Sequence, residues 1–104
     1  VSERLILPQR RLSVTFTLRF WNQDWNASVG YFDNNRPGEV FINAAKTPGT
    51  ELEVMCRDSA ILMSLLLQHG GAPELIQRAL SRNGNGQPSS IAGAVIDVIR
   101  EIQP

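Results

Sequence analysis

Hydrophobic and polar positions change their period once along the chain, from steps of two to steps of three and four. Between Leu12 and Phe20, Val14, Phe16, Leu18 and Phe20 alternate with Ser13, Thr15, Thr17 and Arg19, the pattern of a strand with one buried face. Trp21-Asn22-Gln23-Asp24 predicts a turn. A second strand is predicted from Trp25 to Phe32, with Trp25, Ala27, Val29 and Tyr31 opposing Asn26, Ser28 and Gly30. Residues 33–38, Asp-Asn-Asn-Arg-Pro-Gly, are dense in turn formers. A third strand runs from Glu39 to Asn43 or Ala44, with Val40 and Ile42 on one face and Phe41 on the other. Such short connections predict an antiparallel meander whose apolar face needs a cover.

The helical period begins at Thr50 and supplies that cover. Thr50 and Glu53 fit a T-x-x-E capping box, and Gly70 fits the left-handed residue that ends a helix. Between them Leu52, Met55, Cys56, Ser59, Leu62, Met63, Leu66 and Leu67 form the predicted buried stripe, with Glu51, Glu53, Arg57, Asp58, Ser64 and Gln68 mostly opposite. Pro73 at a first helical position and Glu74 beside it start a second helix, with Leu75, Ile76, Ala79 and Leu80 inward and Arg78 and Arg82 closing it. Residues 83–88 (NGNGQP) predict the most mobile loop. Ser89 or Ser90 caps a third helix to Ile102, with Ile91, Ala92, Val95, Ile96, Ile99 and Ile102 inward. The expected fold class is α+β, a three-stranded antiparallel meander followed by three helices (β-β-β-α-α-α) in two layers. Residues 1–11 read as an N-terminal tail or linker, either a terminus with slight docking through Leu5-Ile6-Leu7 or a former tether. Residues 12–104 read as one domain.

Composition removes several function classes. Ten basic residues balance ten acidic ones, so no long-range field draws the chain to nucleic acid or an anionic membrane. No run reaches the length of a membrane span and no signal-peptide pattern opens the chain, which makes the expected location cytoplasmic. The single cysteine, Cys56, excludes an internal disulfide and a cysteine zinc cluster. No cofactor and no metal are implied.

The candidates for chemistry are few. Cys56 lies on the core stripe as a small hydrophobe, the alternative being a thiol activated by the helix start and Arg57. His69, the one histidine, reads as a capping or exposed side chain, and no second base accompanies it. Glu51, Glu53 and Asp58 read as helix-start and solvent-face acids, and Asp97 as a polar position of the third helix. Nine of the ten basic residues are arginine, which suits local anion binding. Arg36, Lys46 and Arg82 stand in or beside loops, and with Ser89 and Ser90 they make a candidate phosphate site, although no Walker or GxGxxG pattern supports it. Trp21, Trp25 and Phe32 make a candidate interaction surface, the alternative being a minor core covered by the tail.

Taken together, several segments resemble the TSCPD domain family: the hairpin with PGEVFIN, LLLQHG followed by P-E-x-I, and the helix start SSIAGAVID. The resemblance spans roughly residues 10–100. That family is best known as a segment near the C-terminal end of adenosylcobalamin-dependent (class II) ribonucleotide reductases, so the resemblance implies a link to deoxyribonucleotide metabolism. The Thr-Ser-Cys-Pro-Asp stretch that names the family has no cysteine here, where Gln87-Pro88-Ser89-Ser90-Ile91-Ala92 corresponds. Ribonucleotide reduction needs a thiyl-radical cysteine and a redox-active pair, which one cysteine cannot supply. The expectation is a non-catalytic interaction or regulatory module whose partner is a class II reductase or another protein. A nucleotide- or phosphate-binding module and a self-associating structural protein, as a homodimer, are the alternatives.

Overall fold

The computed structural model describes residues 3–103. Its order is β1 (Ser13–Phe20), β2 (Gln23–Tyr31), β3 (Pro37–Ala44), α1 (Glu51–Gln68), α2 (Pro73–Ala79) and α3 (Ile91–Ile102). The strands form one antiparallel sheet in the order β1-β2-β3, with helices against one face, the expected α+β arrangement. Val1, Ser2 and Pro104, at the ends of the expected tail and domain, lie outside the described residues.

The β1–β2 turn is tighter than the sequence suggests. Trp21 and Asn22 both take positive φ, 51° and 58°, as a two-residue primed turn demands, because only that twist matches the strands it joins. Trp21 therefore adopts a conformation that L side chains seldom tolerate. Its ring packs on Phe20 with centroids 4.7 Å apart and on Trp25 at 6.2 Å. The register pairs Phe16 with Ala27 and Ala27 with Ile42, which places Trp25, Ala27, Val29, Val40 and Ile42 in one buried layer. The Trp25 indole N–H donates to the Phe20 carbonyl at 3.0 Å. Tyr31 is also buried, and its hydroxyl finds no partner among the described residues.

Helix α1 runs along β3. Thr50 caps it by accepting the Glu53 N–H at 3.1 Å. At its end the Gly70 N–H donates to Leu67 and the Gly71 N–H to Leu66, with Gly70 at φ 90°. Those two bonds make a Schellman motif, which satisfies carbonyls the helix leaves open. The stripe that meets the sheet is Cys56, Ala60, Met63 and Leu67, while Leu52, Met55, Leu62 and Leu66 are exposed. Half of the expected stripe is thus displaced. The reason is that α1 is apolar over two adjoining stripes, and β3 takes only one of them.

Three polar side chains of α1 also face inward, and each meets the outer edge of β3. Glu53, expected on the solvent face, is buried; its carboxylate accepts the Ala44 N–H at 2.8 Å and the Gly49 N–H at 2.6 Å. Ser64 accepts the Val40 N–H at 2.8 Å, and its one hydroxyl hydrogen is shared between the Ala60 carbonyl at 2.9 Å and the Val40 carbonyl at 3.1 Å. Gln68 donates to the Gly38 carbonyl at 2.9 Å. An edge strand normally presents such groups to any passing chain. Here the helix occupies the Gly38 carbonyl, the Val40 groups and the Ala44 N–H.

The other helices complete the cover. In α2 only Ile76 among the expected apolar residues is fully buried, while Leu75 is 52% exposed, since the helix spans just seven residues. In α3, capped by Ser90 on the Gly93 N–H, Ile91, Ala92, Val95, Ile96 and Ile99 are buried as expected, and Ile102 is exposed. The N-terminal segment is docked: the Leu5 N–H donates to the Gln68 carbonyl, and Arg11 pairs with Glu39 at 2.8 Å.

Candidate functional site

The displaced stripe of α1 makes the floor of a groove. Leu52, Met55, Leu62 and Leu66 line it from α1, and Ile76 and Ala79 of α2 with Leu80 just beyond them form the far wall. Trp21 and the start of α3 close one end, and the space encloses about 430 Å³. Met55 and Leu62 are 68% and 67% exposed, and Trp21 is 44% exposed. The strained turn thus carries an indole at the mouth of the largely apolar groove. Strain of this kind persists only where its surroundings enforce it, here through contacts with Phe20 and Trp25.

Among the described residues, only one titratable side chain lines this groove. Cys56 is buried, and burial followed by the nearby Glu53 charge pushes its thiol pKa up. That speaks against the activated-thiol alternative, since the nucleophile is the thiolate. Glu53 is held below the ordinary carboxylate range by the Gly49 and Ala44 amides, with a smaller effect of Arg57, against the opposing effect of burial. It serves a strand edge. His69 caps α1 through its backbone N–H, which donates to the Leu65 and Leu66 carbonyls. No cluster of His, Cys, Asp and Glu able to hold a metal ion occurs among the described residues.

The residues of the candidate phosphate site do not converge. Arg36 precedes β3 and Lys46 follows it, so a strand of eight residues separates them by roughly 25 Å at 3.3 Å per residue. The Arg36 guanidinium reaches the Gly71 carbonyl at 3.5 Å, and Lys46 lies beside Arg19, Asp24 and Thr47. Arg82 makes a two-pronged pair with Asp97 and also donates to the Gly86 carbonyl. Arg82 thereby fastens the 83–88 loop to α3 and lowers the Asp97 pKa, with Gln77 adding to the effect. Ser89 donates to Asn83, and Ser90 is the cap of α3.

Of the candidate aromatic surface, Trp21 alone is exposed. Trp25 is 0% exposed, and Phe32 is half-buried beside Gly38 and Leu7. Sequence reasoning missed the groove residues Leu52, Met55, Leu62 and Leu66, which were assigned to the core. The signal available was the width of the apolar surface of α1, too broad for one sheet edge to bury.

A comparison with family models matches the TSCPD domain over residues 5–103. The chain belongs to the TSCPD domain family. The match takes in the docked segment from Leu5 onward as well as the sheet and the three helices. Neither the curated proteins nor the solved structures returned a match. No helix among the described residues is long and apolar enough to cross a membrane.

Proposed function

We propose that this TSCPD domain is a non-catalytic contact module of the cytoplasm that seats an apolar segment of a partner protein in the α1–α2 groove. The observation that carries this reading is the exposure of Met55 and Leu62 on the floor of a concave apolar site. Covering such side chains is favourable in proportion to the area removed from water. A buried thiol with a raised pKa and carboxylates committed to structural bonds argue against chemistry at the same place. The association of the family with adenosylcobalamin-dependent reductases makes a class II ribonucleotide reductase of the same cell the first partner to test. The anion-binding alternative has less support, because Arg82 is engaged by Asp97 and the other two cations stand at opposite ends of β3.

Calorimetric titration of the reductase with the purified chain tests the proposal. The expected result is a complex that Leu62→Glu weakens by about tenfold or more, with thermal melting unchanged because Leu62 is exposed. A complex indifferent to both Leu62→Glu and Met55→Glu, or no complex at submillimolar concentration, would remove it.

A further inference from the structure

The sheet has two edges, and the protein treats them differently. At β3 the Gly38 carbonyl, the Val40 N–H and the Ala44 N–H are taken by Gln68, Ser64 and Glu53. At β1 nothing comparable occurs. The Tyr31 N–H donates to the Leu12 carbonyl, which fixes the parity of the β1–β2 ladder. Val14, Phe16, Leu18 and Phe20 bond to β2, so the N–H and C=O groups of Ser13, Thr15, Thr17 and Arg19 point away from the sheet. None of them has a backbone or side-chain partner among the described residues.

Edge strands of monomers are usually blunted by shortness, proline, lysine, a bulge or an inward charge. β1 is eight residues long and has no proline or lysine. Its pairing with β2 is unbroken, the one register irregularity lying between β2 and β3. Its single charge, Arg19, lies on the outer face and pairs with Asp24. Meanwhile Val14, Phe16, Leu18 and Phe20 on the core face are only half-buried, and Leu12 is 53% exposed. The strand therefore offers open ladder groups beside an incompletely covered apolar row.

We propose that β1 pairs antiparallel with β1 of a second copy, making a continuous six-stranded sheet with its two-fold axis at Phe16. The register follows from the residues. With Phe16 opposite Phe16, Val14 meets Leu18 and Leu12 meets Phe20 on the apolar face. On the outer face Thr15 meets Thr17 and Ser13 meets Arg19. Every apolar position faces an apolar one, and aromatic and Thr–Thr cross-strand pairs are favourable. A slip of one residue in each strand towards the N-terminus would set Arg19 against Arg11 of the other copy. The opposite slip would run Ser13 into the Trp21 turn. Charge and turn geometry both select the same register, and the strand is complementary to itself.

Sedimentation equilibrium of the full chain is the first test, and a species of twice the 11.5 kDa chain mass is expected. Thr17→Pro removes an outward N–H, a position where an edge strand tolerates proline, so it should yield a folded monomer. Thr15→Glu/Thr17→Glu sets like charges opposite each other and should weaken association by about tenfold or more. Mixing that variant with Thr15→Lys/Thr17→Lys should restore a dimer containing one of each. A wild-type chain that stays monomeric at submillimolar concentration overturns the proposal. So does a dimer that survives the glutamate pair, which would place self-association on another surface such as the groove.

Discussion

Glu53 shows how one residue can serve three parts of the fold. It starts α1 through its own N–H on Thr50, closes the Gly49 turn and seals Ala44 at the sheet edge. A carboxylate can accept both amides, whereas an amide side chain has one acceptor oxygen and would turn donors towards a donor. Glu53→Gln should therefore lower the thermal midpoint by several degrees at neutral pH. The pH dependence has a definite sign. The folded-state pKa values of Glu53 and Asp97 are both depressed, so their stabilisation is complete above the ordinary carboxylate range and is lost as pH falls through the lowered values. Melting followed by circular dichroism from neutral to acidic pH should show this loss, with a shallower acid limb in Glu53→Gln. Equal acid limbs for the two proteins would mean that Glu53 is not charged in the role described. Sequence alone exposed half of this. The T-x-x-E spacing announced the cap, but acid residues at helix starts are usually solvated, and nothing local marked this one as partner to a strand that ends nine residues earlier.

At the scale of elements, α1 divides its apolar surface between a buried task and an open one. Cys56, Ala60, Met63 and Leu67 recur at steps of three and four, and so do Leu52, Met55, Ser59, Leu62 and Leu66 beside them. Periodicity establishes that a helix forms here, and the caps place its ends. It cannot say which of two adjacent apolar stripes meets the sheet. The strands were more legible because period two leaves only two faces to choose between, although Trp25, a candidate for the interaction surface, lies inside with Ala27, Val29 and Tyr31. Glu53, Ser64 and Gln68 held the missing signal for α1, since polar side chains along one flank of an apolar stripe suit a strand edge. The division predicts unequal penalties. Leu67→Ala, at 0% exposed, should destabilise by about 2–5 kcal/mol, while Leu62→Ala should stay within about 0.5 kcal/mol. Urea denaturation measures both. A comparable penalty at Leu62 would mean that the groove is closed in solution.

At the scale of the molecule, the helical layer shields the sheet unevenly. α1 binds β3 through side chains that reach its outer edge, and the N-terminal segment is fastened beside it by Arg4 and Leu5 on Gln68. β1 lies at the far side, with β2 as its only ladder partner among the described residues. Backbone amides report such a difference directly, because an edge N–H exchanges with solvent unless something holds it. In the Thr15→Glu/Thr17→Glu protein, where pairing between copies is suppressed, the Val40 and Ala44 amides should exchange slowly although they stand on an edge. The Ser13 and Arg19 amides, on the other edge, should exchange fast. In the wild-type chain the Ser13 and Arg19 amides should gain protection as concentration rises, while Val40 and Ala44 stay unchanged. Hydrogen exchange followed by NMR resolves all four. Fast exchange at Val40 and Ala44 would undo the account of Ser64 and Glu53 as an edge seal. The uneven seal leaves β1 and the α1–α2 groove as separate open surfaces, so a copy paired through β1 keeps its groove free for a different partner.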